Sequence, residues 1–388
     1  MPPITAIIGA HIITPDLVLD DHALLLDGAQ IAALVPTGTV PREARRIDAG
    51  GLTLTPGFID IQVNGGGGVL FNDHPSPATI ARIGAAHRPF GTTGFLPTLI
   101  SDGAEAMTAA RAAVADGLDQ GLPGLLGLHL EGPFLSRARH GIHDPRQIRP
   151  LTATALEELA APRRGALVVT LAPEEAGPEA IGALARAGVR VSAGHTAATY
   201  AQTRAALAAG VTGFTHLFNA MPQLASREPG PVAAALESRA WCGLIADGHH
   251  VDDAMLRLAL RAKADGRVML VTDAMAAAGT DADSFTLAGE TVTIVGGRCT
   301  DAAGTLAGSN LTMIAAVRHC VRRLGQPLAE AVRMASLEPA RFLGIDHLRG
   351  SLAPGRAADV VALDPGLDVA ATMIGGDVEL FASQLAAR

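Results

Sequence analysis

The sequence predicts an α/β protein: a (β/α)8 TIM-like barrel over residues 57–347, with a small β-sandwich domain built from residues 1–56 and 348–388. Three observations lead there. Short apolar runs ending in polar residues alternate with Ala-rich amphipathic segments, the texture of repeated strand–helix units. Both chain ends lack that alternation and carry short β-like runs divided by turns. The 388 residues are long for one ordinary domain but suit a large barrel with an accessory one.

Taken in order, "TAIIGAHIIT", "HALLLDGAQIAALVP" and "RRIDAGGLTLTPG" read as the first strands of the sandwich. Eight barrel strands follow. They are "FIDIQVNG" from Phe58, "GFLPTLIS" from Gly94, "LLGLHLEGP" from Leu125 and "ALVVTLAP" from Ala166, then "VRVSAGHT" from Val189, "VTGFTHLFNA" from Val211, "WCGLIADGHH" from Trp241 and "RVMLVTDAM" from Arg267. Between them, "PATIARIGAAHR", "AEAMTAARAAVADG", "YAQTRAALAAG" and "DDAMLRLALRAKADG" read as helices, several closing on Gly as a C-cap. A doubly wound open sheet is the structural alternative. It usually has fewer strands and a phosphate loop after the first, whereas "NGGGG" matches neither GxGxxG nor GxxxxGK[ST]. After strand eight, "DSFTLAGETVTIVGGRCTDAAGTLAG" interrupts the pattern with a turn-rich hairpin, which either returns to the accessory sheet or lines the mouth of the barrel. The tail "GSLAPGRAADVVALDPGLDVAATMIGG" repeats the opening texture and pairs with it.

Composition narrows the function. With 48% apolar and 18% charged residues the chain is globular rather than disordered. Aromatics at 3% leave few stacking platforms for bases, and a net charge of −8 argues against a general affinity for polyanions, so nucleic acid is not expected. A small anionic substrate needs only a local cationic pocket. Cys242, Cys299 and Cys320 have no paired spacing and read as free thiols of a reducing compartment. The N-terminus lacks a basic n-region, and no stretch reaches the roughly 18 apolar residues of a membrane span. The expectation is a cytoplasmic protein.

Side chains at the C-terminal ends of barrel strands converge on one mouth, where the chemistry of this fold sits. Strand one ends in Gln62 and Asn64, strand three in His129 and Glu131, and strand five in His195. Strand six gives His216 and Asn219, strand seven Asp247, His249 and His250, and strand eight Asp273. Glu131, His195 and His216 make one carboxylate and two imidazoles, the composition of a catalytic zinc site that keeps its fourth position for water. Taken singly, each histidine reads first as a hydrogen-bonded core or surface residue; their joint placement with Glu131 reverses this in favour of a metal. Asp273 ends an apolar strand, where a carboxylate can move a proton between water and a leaving amine, or merely cap the next helix. A two-metal site needs more: His-x-His on strand one, often with a bridging lysine. Gln62 and Asn64 stand in place of the first, and the single lysine, Lys263, falls at a helix end. One catalytic metal is expected.

The motifs "LHLEGPFLS", "SAGHT", "THLFNAM", "REPG", "LIADGHHV", "VTDAM" and "LAGS", in this order over nearly the whole chain, resemble the N-acetylglucosamine-6-phosphate deacetylases of the amidohydrolase superfamily. The resemblance implies zinc-dependent hydrolysis of the acetamide of N-acetylglucosamine 6-phosphate, releasing acetate and glucosamine 6-phosphate. It carries the metal onto Glu131, His195 and His216, and the acid/base role onto Asp273. It sets His143, in "HGIHDP", beside the substrate carbonyl as the donor that stabilises the oxyanion. Substrate contacts fall to Asn219, Ala220, Arg227, the "ADGHH" loop and Leu306, Ala307 and Gly308. Phosphate recognition falls to Arg227 and to His250, with His250 reaching in from a neighbouring subunit, so a homodimer is expected. His249 departs from the commonly apolar residue of the family, which leaves either histidine able to meet the phosphate. The Gln-x-Asn pair on strand one matches the single-metal branch.

Rival readings are a deacetylase of the galactosamine epimer, another amidohydrolase acting on a small or cyclic amide, and a catalytically dead binding protein on the same fold. A cyclic-amide hydrolase normally needs the strand-one histidines or the bridging lysine. A dead protein predicts lost ligands, and all four key residues are present. No residue in the sequence reads the sugar epimer.

Overall fold

The computed structural model describes residues 4–15, 17–263 and 265–380; the outermost parts of the expected sandwich, 1–3 and 381–388, lie outside the described residues. Eight parallel strands follow one another around a barrel: β1 (Phe58–Val63), β2 (Thr92–Ile100), β3 (Gly127–Glu131), β4 (Ala166–Leu171), β5 (Arg190–Ala193), β6 (Val211–Phe214), β7 (Trp241–Leu244) and β8 (Val268–Leu270). Seven fall within the apolar runs read from sequence, and β2 begins two residues before its run, at Thr92 rather than Gly94. Residues of β1 are buried on both faces, as expected of a strand lying between the barrel interior and an outer helical layer.

Local sequence sets where the helices start. Ser76 caps Pro77–His87 by accepting from Thr79 N, with Pro77 at the first turn where its missing N–H costs nothing. Thr199 and Gln202 form a capping box at the head of Tyr200–Ala209, and Asp252 caps Asp253–Ala262. The Gly C-caps are fewer than expected. Ala104–Asp119 runs past Gly117, which packs under Leu125, where a Cβ would come within 2.8 Å of the leucine side chain. Lys263 instead ends its helix buried, donating through Nζ to the carbonyls of Ser238 (2.5 Å) and Ala240 (2.8 Å).

Regular pairing stops between β8 and β1, and the seam is closed just beyond their C-terminal ends. Asp273 N donates to Gln62 O (3.0 Å), and Asn64 N and Gly65 N both donate to Ala274 O (2.9 Å). Behind this stitch lies Asp60, fully buried on β1. Its carboxyl accepts from Gln62 N (3.1 Å), Thr272 N (3.3 Å) and Thr272 Oγ1 (2.5 Å).

The hairpin region after β8 forms its own four-stranded antiparallel sheet, Ser284–Leu287, Glu290–Val295, Arg298–Thr300 and Leu306–Ser309. Its last strand joins the seam: Ser309 N donates to Asp273 O (2.9 Å) and Met275 N to Ser309 O (3.0 Å). Of the two expectations, the segment therefore lines the mouth.

The chain ends make two further sheets. Gln30–Pro36, His22–Asp27, Thr5–Ile8 and Arg45–Asp48 form one. Asp377–Leu380, Val369–Ile374, Val360–Leu363, Thr53–Pro56, His11–Ile13 and Val18–Leu19 form the other. Ile7, Leu24 and Leu26 of the first pack with Ile12, Leu54, Val360 and Met373 of the second, which makes a small sandwich with its own core. The antiparallel pairing of Val360–Leu363 with Thr53–Pro56 brings the two ends of the chain together just before β1 begins.

Burial pushes the Asp60 carboxyl from 3.8 up to about 7, against the lowering effect of its Thr272 hydrogen bond. The folded state then holds a proton that the unfolded chain releases. The associated stability is complete below about pH 4 and is lost as the pH rises through about 7. Urea unfolding across this range is expected to show Asp60→Asn gaining on the wild type, by on the order of a few kcal/mol, as pH increases. Parallel curves for the two proteins would show that Asp60 is ionised in both states.

Candidate active site

The expected ligands meet at the C-terminal mouth. Glu131 is the last residue of β3, His195 lies just beyond β5 and His216 just beyond β6. His195, His216 and Asp273 hold φ of 46°, 32° and 53°, in the left-handed region that L-residues rarely adopt. These turns end the ladders early. That is why β6 and β8 stop short of the runs read from sequence, which extended through His216 and Asp273.

Glu131 Oε1 stands 3.0 Å from His216 Nε2 and 3.2 Å from His195 Nε2, and the two Nε2 atoms are 3.0 Å apart. Among the described residues this is the one group of three such side chains able to hold a metal, with ligand atoms within 4.8 Å of one another. His195 Nδ1 donates to the carbonyl of Arg139 (2.9 Å), which turns the lone pair of its Nε2 inward. Burial would push the Glu131 carboxyl up, but hydrogen bonds to His195 and His216 and their charge pull it well below the usual range. An anionic oxygen and two imidazole nitrogens crowded together, all buried, fit a divalent cation between them. One layer below, His129 is pushed down to about 4, first by burial, and rests against Thr170 Oγ1 (2.7 Å) as a neutral ring.

Strand one has a part that sequence reasoning missed. Gln62 Nε2 donates to Glu131 Oε2 (3.0 Å) and to Asp273 Oδ1 (3.2 Å), and Asn64 Nδ2 donates to the same Asp273 oxygen (2.6 Å). The two amides hold the carboxylates of Glu131 and Asp273 in place. Burial, followed by the nearby charge of Glu131, raises the Asp273 carboxyl above its ordinary range.

His143 is buried and packs against His195, with ring centroids 4.4 Å apart and planes tilted by 60°. Its Nδ1 accepts from Ser101 N (3.2 Å) and lies 2.8 Å from Ser101 Oγ. Burial, then the neighbouring histidines, keep its pKa well below the ordinary value, so the ring is neutral. A neutral imidazole accepting at Nδ1 carries its hydrogen on Nε2, which makes that atom a donor for the pocket.

A cleft of about 480 Å³ opens over this centre. Asn219, Ala220, His250, Leu306 and Gly308 line it as expected, together with Glu131, His143, His195, His216 and Asp273. Ala307 does not line it; its side chain is buried in the small cluster behind the hairpin. Two expectations change. His250 was expected to serve a neighbouring subunit, yet it lines the cleft of its own chain, 6% exposed, because Asp247 Oδ2 holds its Nδ1 at 2.6 Å. Arg227 lies exposed, outside its own cleft. His249 turns away, its Nε2 on Gly296 O (3.0 Å), so His250 is the histidine of this loop that reaches the cleft. Arg139 and Arg298 also line the cleft and were not foreseen. The turn-rich segment around Arg298 was the available signal.

A parallel barrel with a buried Glu–His–His set and a carboxyl acid at the end of β8 defines the metal-dependent amide hydrolases. The chain belongs to the amidohydrolase family, whose sequence profile matches residues 53–378. It is 41% identical over 381 residues to an N-acetylgalactosamine-6-phosphate deacetylase of Shewanella sp. (strain ANA-3), covering 97% of this chain and 96% of that one. It is 38% identical over 374 residues to the N-acetylglucosamine-6-phosphate deacetylase of Haemophilus influenzae, covering 96% and 98%. The crystal structure of N-acetylglucosamine-6-phosphate deacetylase from Pasteurella multocida superposes with a TM-score of 0.94 at 38% identity, covering 97% of this chain and all of that one.

The geometry predicts about one equivalent of divalent metal per chain in the purified protein. Metal analysis should find it lost in Glu131→Ala and His216→Ala, and retained in Asp273→Asn and Asn64→Ala. Retention in the first two would place the metal elsewhere.

Proposed function

We propose that this protein hydrolyses the acetamide of N-acetylglucosamine 6-phosphate to glucosamine 6-phosphate and acetate. The observation that carries the reading is the joint one: the Glu131–His195–His216 set shares one cleft with a raised carboxyl and a neutral imidazole donor. The near full-length likeness to deacetylases of phosphorylated amino sugars supplies the substrate class.

Glu131, His195 and His216 would hold one divalent metal, with zinc suited to a carboxylate and two imidazoles. Bound there, a metal activates water and polarises the carbonyl. Asp273 takes the proton of the attacking water and returns it to the departing amine; burial and the charge of Glu131 raise its pKa, which favours its taking the proton. Asn64 and Gln62 keep one oxygen of Asp273 engaged, which leaves the other for the proton. His143 donates through Nε2 to the carbonyl oxygen, a bond that strengthens as negative charge develops. Asn219, Ala220, Leu306 and Gly308 bound the sugar, and His250 addresses its phosphate.

A homodimer remains part of the proposal in altered form. Arg227, exposed and outside its own cleft, is the residue a partner would supply, rather than His250. Three unpaired buried cysteines support a cytoplasmic setting. No helix among the described residues is long and apolar enough to cross a membrane. The likeness to the Shewanella protein favours one second reading, the galactosamine epimer as substrate.

The test is kcat/KM for acetate release from N-acetylglucosamine 6-phosphate, its galactosamine epimer and the unphosphorylated sugar. Preference for the phosphorylated glucosamine supports the reading, and preference for the epimer moves the substrate by one hydroxyl. Comparable rates without phosphate would overturn the substrate class. Asp273→Asn is expected to abolish turnover with metal retained. His143→Asn is expected to lower kcat by about 10²–10³ with a small change in KM. Near-normal kcat in either variant would remove the role assigned to it.

A further inference from the structure

We infer that Arg298 is the guanidinium this chain contributes to its own phosphate site, beside His250, and that it sets the preference for phosphorylated sugars. The inference rests on the proposed deacetylase reading and adds to it a specificity-determining residue.

The cleft has two unlike flanks. On one, His143 is held by Ser101, just past β2, and packs against His195, just past β5; this flank addresses the acetamide. The other is built from the loops after β7 and β8, which supply His250 and Arg298. Those two loops are where (β/α)8 enzymes frequently bind phosphate. On the sugar, the 2-acetamide and the 6-phosphate lie at different ends of the ring. Fixing the acetamide at Asp273 and His143 sends the phosphate toward the second flank.

The position of Arg298 is set by its hairpin. Val295 pairs with Arg298 across Gly296 and Gly297, whose φ values of 58° and 87° suit a two-residue type I′ turn that only glycine enters without strain. Side chains alternate along the strand, so the buried Cys299 faces the core and Arg298 the other side. Arg298 pairs with Ser309, and Ser309 bridges to Ala274, which puts the arginine two strand steps from the acid/base residue. His249 ties the β7 loop to the same turn through Gly296 O (3.0 Å), so the flank is one unit.

Charge points the same way. Asp247, the carboxylate of this flank, is taken up by His250, and Arg298 has no carboxylate partner among the described residues. Arg139, the other arginine of the cleft, belongs to the acetamide flank, since its carbonyl holds His195. A lone guanidinium beside an imidazole suits a phosphate, whose oxygens accept two parallel N–H donors.

The test compares kcat/KM for N-acetylglucosamine 6-phosphate and N-acetylglucosamine in the wild type, Arg298→Ala, Arg298→Lys and Arg227→Ala, with metal content and melting temperature as controls. In Arg298→Ala the ratio of the two values is expected to fall about tenfold or more, mainly through KM for the phosphorylated sugar, with partial recovery in Arg298→Lys. An unchanged ratio, or an equal loss on both sugars, overturns the inference. So does a ratio lost only in Arg227→Ala. If Arg298→Ala does not fold, Arg298→Gln carries the same comparison. A wild type without preference for the phosphorylated sugar fails at an earlier step, and overturns the substrate reading before any variant is compared.

Discussion

Two imidazole nitrogens and a carboxylate oxygen lie 3.0–3.2 Å apart on buried side chains, a closeness that positive charge between or upon them favours. Left uncompensated, such a cluster would be pushed apart by repulsion and by the cost of burying charge. The surrounding structure prevents that. Glu131 is anchored from behind by Gln62, and His195 by the carbonyl of Arg139. The left-handed turns at His195 and His216 aim both rings inward where a regular strand would have carried them past. Strain of this kind, typically about 1–3 kcal/mol per residue, persists because packing over-determines it.

The same economy of parts joins the barrel seam to the site. The bonds that close β8 against β1 are made by Asp273 and Ala274, and the Asp273 carboxylate is held by the side chains of Gln62 and Asn64. Asp60 and Thr272 lock the two strands together one layer down, and Ser309 Oγ donates to Thr272 O (2.5 Å) from the hairpin side. Asp273 therefore has no position of its own: it is placed by barrel closure. Disturbing the seam should move Asp273 relative to Glu131 before it unfolds anything.

Much of this was legible in the sequence, for identifiable reasons. Strands buried on both faces write themselves as apolar runs, so all eight were found, and convergence of their ends gave Glu131, His195, His216 and Asp273. Strand ends were read too long because nothing in the letters of His216 or Asp273 marks a positive φ. The service of Gln62 and Asn64 to two carboxylates depends on contacts across 69 to 211 positions of sequence, which no local pattern records. Arg139 acts on His195 through its carbonyl, and a main-chain contact leaves no mark on residue type. That His250 turns into the cleft of its own chain and Arg227 lies exposed outside it was not legible, because which way a side chain turns is decided by partners such as Asp247.

On the proposed reading an acidic chain takes an anionic substrate, so the attraction must be local. At physiological ionic strength charges are screened over about 8 Å, so the carboxylates behind the net −8 scarcely reach an anion in the cleft. Groups lining it act at contact, in a partly desolvated space where each counts for more. On the proposed reading, such cations are best kept from Glu131, for which they would compete with a metal. His250 and Arg298 come from the loops after β7 and β8 and Glu131 from β3, so only the Asp273 side of the site feels them, and the charge of His250 does lower Asp273. The proposed recognition groups and the proposed metal set thus come from different strands of one rim.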